Sequence, residues 1–186
     1  GAVGTDCNGK LMLNAIREKQ VDASHVQVLP GKTAVTEIKL VNGDRKFLSY
    51  DEGVLADYRL TAEDINFLCK HDIVVTSVNG NVEYYLPIIK GRNVPIAYDC
   101  STQYKDEASQ KAIPYVDYLF GSADADTPKL RQLMKNLKSK GPKIVIYTLG
   151  DKGSLAYDGN NFTFGGIVPC KVVDTIGAGD SYIAGF

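Results

Sequence analysis

Residues 127–148 read Thr127-Pro128-Lys129-Leu130-Arg131-Gln132-Leu133-Met134-Lys135-Asn136-Leu137, then, past Gly141-Pro142, Lys143-Ile144-Val145-Ile146-Tyr147-Thr148. Threonine ahead of proline supplies an N-cap and a first helical position that needs no N–H. Leu130, Leu133, Met134 and Leu137 fall on one stripe of an amphipathic helix, which Gly141-Pro142 ends. The run that follows is apolar without alternation, as in a strand buried on both faces. A one-striped helix feeding a two-sided apolar strand is the repeating unit of an α/β fold.

The same texture extends towards the amino end. Asp72–Val78, Val94–Asp99 and Val116–Phe120 are short β-rich runs with room for helices between them. Thr61-Ala62-Glu63-Asp64 has the form of a capping box, and Ile65, Leu68 and Cys69 continue one helical face. Gly1-Ala2-Val3-Gly4 reads as the tail of a strand and its turn. After Asn8-Gly9, the spacing of Leu11, Met12, Ala15, Ile16 and Lys19 predicts a helix that Val21-Asp22 closes.

One segment has a different period. Between Thr33 and Val41, Thr36, Ile38 and Leu40 alternate with Glu37 and Lys39, Asn42-Gly43 offers a tight turn, and Lys46–Tyr50 returns. A hairpin over approximately 33–50, with one wet face and outside the main sheet, is expected. The final helical pattern is still running at Phe186, so the chain is expected to be a fragment of a larger fold.

Composition narrows the function. The chain has 186 residues, and its formal charge of −1 with no basic run gives no footprint for nucleic acid or an anionic membrane surface. No apolar run approaches the roughly twenty residues needed to span a bilayer. Cys7, Cys69, Cys100 and Cys170 are widely spaced without a CxxC pair, which favours a reducing compartment and buried apolar roles over zinc or disulfides. A cytoplasmic protein acting on small molecules is the expectation.

The stretch that could carry chemistry is Asp174-Thr175-Ile176-Gly177-Ala178-Gly179-Asp180-Ser181. Small residues let a ligand approach the main chain, and at the start of a helix the N–H groups of Gly177 to Asp180 would face one anion. An aspartate there repels phosphate unless it takes a proton from an attacking hydroxyl, which points to phosphoryl transfer. On spacing alone, Gly-Ala-Gly serves equally well to pack a helix closely on a sheet. No Gly-Lys-Ser/Thr follows, so this is not a Walker A loop.

Asp174 through Phe186 resembles the carboxyl-terminal signature of the ribokinase-like, PfkB-type carbohydrate kinases. The resemblance implies a three-layer α/β/α sandwich with a mostly parallel central sheet and a small β-hairpin lid, of which residues 1–186 form a part. It implies that Gly177, Ala178 and Gly179 make the anion hole and that Asp180 is the catalytic base. Asp174 matches a position associated with a monovalent cation such as K⁺. Tyr147–Ser154 is similar to the family's nucleotide-proximal strand end, placing Thr148, Gly150 and Gly153 near ATP. Strand carboxyl ends are also where open α/β sheets bind ligands. The hairpin would then exclude water and could join two chains as a homodimer, with Tyr50 or Glu52 facing the sugar. Asn79 and Asp99, at strand ends, are further candidates for sugar contact.

One departure concerns magnesium. Where the family carries Asn-x-x-Glu, this chain has Ser122 and Ala125, so Asp124 or Asp126 is expected to replace that pair through water. The order of motifs along the whole chain resembles the branch acting on fructoselysine, which has the same serine. Phosphoryl transfer from ATP, with Mg²⁺, to the 6-hydroxyl of a ketose-amine is therefore expected. The alternatives are another ketose, ketoacid or nucleoside acceptor, or a sensor that binds without turnover.

Overall fold

In the computed structural model the chain divides into two compact units, Gly1–Phe67 and Leu68–Phe186. Residues 1–41 and 44–186 are described, so the expected Asn42-Gly43 turn lies outside the described residues.

In the first unit β1 (Ala2–Gly4) leads to helix α1 (Cys7–Glu18), and β2 (Gln27–Leu29) returns parallel to β1. The start of α1 is fixed by Asp6, whose Oδ1 accepts from the Gly9 N–H at 2.9 Å and from the Thr33 hydroxyl at 2.6 Å. The Thr33 Oγ1 accepts in turn from the Gly4 N–H at 2.9 Å, tying the strand, the helix and the root of the hairpin together. The hairpin strands β3 (Val35–Val41) and β4 (Asp44–Asp51) pair antiparallel, with a bulge that leaves Leu48 unmatched between Phe47 and Ser49. Of its described side chains Val35, Thr36, Glu37, Leu48 and Tyr50 are exposed and Ile38 is half-buried.

Helix α2 (Ala62–Leu68) begins with the predicted capping box, Thr61 Oγ1 accepting from the Asp64 N–H at 3.1 Å and Asp64 Oδ2 from the Thr61 N–H at 2.9 Å. Asp64 also bonds to His25 Nδ1 at 2.7 Å and accepts from Gln27 Nε2 at 3.0 Å. Burial pushes its carboxyl upward, but these bonds outweigh that cost and hold it at about 2.

The second unit is built on six strands in the order β10-β9-β8-β7-β6-β5. Strands β5 (Val74–Ser77), β6 (Ile96–Asp99), β7 (Tyr118–Ser122) and β8 (Ile144–Thr148) are parallel. Strands β9 (Ser154–Tyr157) and β10 (Phe162–Gly165) continue antiparallel, giving the mostly parallel α/β sheet expected. Helices α3 (Leu86–Gly91), α4 (Glu107–Ala112) and α5 (Pro128–Lys138) fill the connections, and Thr127 Oγ1 caps α5 by accepting from the Leu130 N–H at 3.1 Å. Leu130, Met134 and Leu137 are buried, as their spacing requires; Leu133 is only partly so.

The strand register sorts side chains onto two faces. One face carries Tyr98, Leu119, Val145, Tyr147 and Leu155, all buried. Gly121 belongs to this face, and a Cβ there would meet the Tyr147 ring at 2.6 Å. The other face carries Ala97, Phe120 and Ile146, against which Tyr182 and Ile183 of the last helix, α6 (Ala178–Gly185), are packed. Phe186 extends that contact, edge-on to Phe120 and Tyr118.

Of the four cysteines only Cys100 is a buried filler. Cys7 and Cys170 are exposed and Cys69 is half-buried, because Cys7 opens a surface helix and Cys170 sits in the exposed stretch between β10 and α6. No helix among the described residues is long and apolar enough to cross a membrane.

Candidate active site

The face that receives α6 turns polar at one end. Ser77 and Asp99 are register partners across β5 and β6, Ser122, Thr148 and Ser154 are partners across β7, β8 and β9, and all five stand at the edge of the sheet where the parallel strands end. Sequence reasoning had picked Asp99 and Thr148 from this row. Ser77 was missed as a site residue although it ends a parallel strand, a recognisable address; Ser154 opens the antiparallel β9 and carries no such signal. Ser122 and Thr148 hydroxyls are 3.2 Å apart, and the Thr148 carbonyl accepts from the Ala123 N–H at 3.0 Å.

Helix α6 presents its first turn to this row. Gly177 is the N-cap with φ of 73°, a left-handed conformation for which glycine is the natural residue. Of the N–H groups expected to face one anion, that of Ala178 is spent on the Thr175 carbonyl at 3.2 Å. Those of Gly179 and Asp180 stand at helix positions that have no intrahelical acceptor. The packing account of Gly-Ala-Gly fails at Gly179: a Cβ there would meet no atom within 4 Å. Neither a close neighbour nor an unusual φ calls for glycine at this position.

Two cavities flank the first turn. One, of about 470 Å³, is lined by Val75, Thr76, Ser77 and Asp99 from the sheet and by Asp180, Ile183 and Ala184 from α6. The other, of about 370 Å³, is lined by Thr148, Gly150, Gly153 and Ser154 on one side and by Ala178, Gly179 and Tyr182 on the other, with Gly166, Ile167 and Val168 completing it. Residues 180, 183 and 184 lie on one side of the helix and 178, 179 and 182 on another, as helical spacing dictates. The Tyr182 hydroxyl lies 3.0 Å from Ser154 Oγ and pins α6 to β9.

The remaining candidates scatter. Asp99 sits half-buried at the end of β6, and Oδ1 accepts from the Ser101 N–H at 2.7 Å. Burial lifts its carboxyl above the usual range against that hydrogen bond, and the neighbouring Asp180 carboxylate adds to the rise. Asn79 is exposed and does not line the cavity beside it. Tyr50 and Glu52 belong to the first unit; burial and Glu52 raise the Tyr50 phenol. Asp174 is exposed, and its Oδ1 accepts from the Ile176 N–H at 2.9 Å. Gly153 lines the second cavity, with φ of 95°, and a Cβ there would collide with the Gly165 carbonyl at 2.1 Å, so the fold itself requires glycine.

For a metal, the described residues assemble no group of three or more His, Cys, Asp or Glu side chains. Asp126 is engaged by Arg131 through two bonds of 2.8 and 2.6 Å. Asp124 stays exposed, while its carbonyl accepts from Lys152 Nζ at 2.7 Å.

The family model for pfkB family carbohydrate kinases matches residues 1–186. The chain belongs to this family. Among its relatives in the pfkB family, fructoselysine 6-kinase of Escherichia coli (strain K12) is 39% identical over 184 residues, covering 99% of this chain and 70% of that protein. Fructosamine kinase of Bacillus subtilis (strain 168) is 34% identical over 191 residues, covering 100% of this chain and 67% of the relative. In fold the chain is similar to Arabidopsis thaliana ribokinase, solved with ribose and ATP, with a TM-score of 0.86 and 21% identity over 99% of this chain. Ribokinase of Giardia lamblia gives a TM-score of 0.83 at 20% identity over 98% of this chain. The chain spans 65% and 62% of these two solved chains.

Proposed function

We propose that this chain carries the phosphoryl-transfer centre of an ATP-dependent sugar kinase whose acceptor is the 6-hydroxyl of fructoselysine or a related ketose-amine. The observation that carries the reading is the position of Gly179 and Asp180, adjacent residues of one helical turn that open onto different cavities. A transfer reaction needs donor and acceptor pockets that meet at one point, and here they meet at a helix N-terminus suited to anionic charge.

In this reading ATP lies along the cavity of Thr148 and Gly150 with its γ-phosphoryl group at Gly179, where the absent side chain leaves space. The acceptor hydroxyl enters beside Asp180. Its oxygen bonds to the γ-phosphorus, its proton passes to the Asp180 carboxylate, and the bond to the ADP oxygen breaks. The N–H groups of Gly179 and Asp180, backed by the helix dipole, stabilise the transferring charge.

Magnesium, when bound with the nucleotide, neutralises charge on the β and γ phosphates. The donor set fits an ion held chiefly by those phosphates. Asp124 is the carboxylate open to one of its waters, since Asp126 is taken by Arg131. The hairpin's part as a water-excluding lid belongs to the same proposal and rests on the family resemblance.

The ketose-amine acceptor is supported by the names and identities of the E. coli and B. subtilis relatives. The test is ATP turnover by the full-length protein with fructoselysine, fructose, ribose, 2-keto-3-deoxygluconate and adenosine. Selective turnover of fructoselysine is expected. A different preferred acceptor removes the substrate assignment, and binding without turnover of any acceptor removes the kinase assignment.

A further inference from the structure

The charge inside the larger cavity suggests how an acceptor is chosen. Asp99 and Asp180 both line it; the other lining residues are the hydroxyl-bearing Thr76 and Ser77 and apolar side chains, and no Lys, Arg or His is among them. Two carboxylates facing one partly enclosed space repel each other unless a cation enters.

The two fully buried aspartates of this chain are treated differently, and half-buried Asp6 accepts three hydrogen bonds, from the Gly9 N–H and from the Thr33 N–H and hydroxyl. Asp117 is buried at the opposite end of the sheet, with Lys90 at 2.7 Å, Lys143 at 3.0 Å and the Ile96 N–H at 3.0 Å. Asp64 is held by His25, Gln27 and Thr61. Asp99, by contrast, has a single hydrogen bond, from the Ser101 N–H, and no ion pair among the described residues. Its Cα is matched in register with Ser77, which sets it on the same face as α6 and directs it to the cavity. A half-buried carboxylate with one hydrogen bond and no cation keeps acceptor capacity for a charged ligand.

We propose that Asp99 is the counter-ion for a protonated amine on the acceptor, so that the cavity selects ketose-amines over neutral sugars of the same shape. This inference rests on the kinase reading above. The ligand class is a ketose with a secondary ammonium at the carbon next to the carbonyl, and Asp99 is a specificity-determining residue.

The probes are 1-deoxy-1-propylamino-fructose, a cation at neutral pH with no other charge, and the uncharged 1-deoxy-1-acetamido-fructose. With the full-length enzyme, kcat/KM is expected to favour the amine by about 30-fold or more, the scale of a charge pair shielded from water. In Asp99→Asn that ratio should fall to about one to three. The asparagine carbonyl can still accept from the Ser101 N–H, so the turn is retained. Equal kcat/KM for the two probes with the unaltered enzyme overturns the inference without needing any variant. A ratio unchanged in Asp99→Asn overturns it as well.

Equilibrium binding of the two probes without ATP separates this inference from the reading beneath it. Charge-selective binding lost in Asp99→Asn, with no phosphorylation of either probe, sustains the counter-ion while removing the ketose-amine kinase assignment. Phosphorylation of both probes with equal binding sustains the kinase and removes the counter-ion.

Discussion

The hydroxyl of Tyr182 stands 3.0 Å from the hydroxyl of Ser154, joining the second turn of α6 to the first residue of β9. Ser154 is buried, 7% exposed, and shares a register row with Thr148. The contact therefore fixes the helix whose first turn separates the two cavities. Tyr182→Phe is expected to cost about 1 kcal/mol, the usual net worth of such a bond. Turnover should fall a few-fold as Gly179 and Asp180 lose a fixed position. A denaturation curve and kcat on the same preparation test this; unchanged values for both would mean that Ile183 and Phe186 dock the helix by themselves.

Asp180→Asn is the direct test of the proton acceptor. Removing a general base costs about 10²- to 10⁴-fold in kcat. ATP affinity should change little, since asparagine preserves the helix start and removes one negative charge beside the phosphates. If Asp180 were only a favourable charge at a helix N-terminus, its loss would instead lower stability by about 0.3–1 kcal/mol and leave turnover intact.

Much of this arrangement is legible in the sequence because local chemistry and tertiary role coincide. The Thr127-Pro128 start of α5, the capping box at Thr61 and the apolar runs of β6 to β8 each declare themselves in a few residues. Strand β2 does not: it has three residues, and its central Val28 is 53% exposed, so no period marks it. The hairpin's alternation is plain, yet alternation cannot say whether anything covers the apolar side. The Tyr182–Ser154 bond spans residues 28 apart, and the facing of Asp99 by Asp180 depends on which side of β6 meets α6. Both follow from strand order and register, which short-range pattern does not contain.

Asp64 gives the fold a defined acid limit. Its carboxyl is held at about 2, below the usual 3.8, so the unfolded chain takes up this proton first as pH falls. The stabilisation is complete above about pH 4 and is lost as the pH drops through about 2. Asp64→Asn should lower stability at neutral pH and flatten the dependence between those values. Urea titrations at a series of pH values would show it; parallel curves for variant and parent would assign the acid sensitivity to other carboxylates, such as Asp117.

Gly179→Ala separates stability from function. The new Cβ would meet no atom within 4 Å, and alanine is favoured over glycine within a helix by about 0.5–1 kcal/mol. A Gly179 with no role beyond its place in the helix therefore predicts no loss of any kind. If the open space above this residue receives the transferring phosphoryl group, the methyl group occupies it, and displacement on the ångström scale from reacting geometry can cost about 10²-fold in rate. The expected result is a protein at least as stable as its parent with kcat reduced by about that factor. Thermal denaturation and steady-state kinetics of Gly179→Ala, with Gly185→Ala as a control at a second uncrowded helical position, decide the matter. Full turnover in both variants would show that the phosphoryl group is held elsewhere.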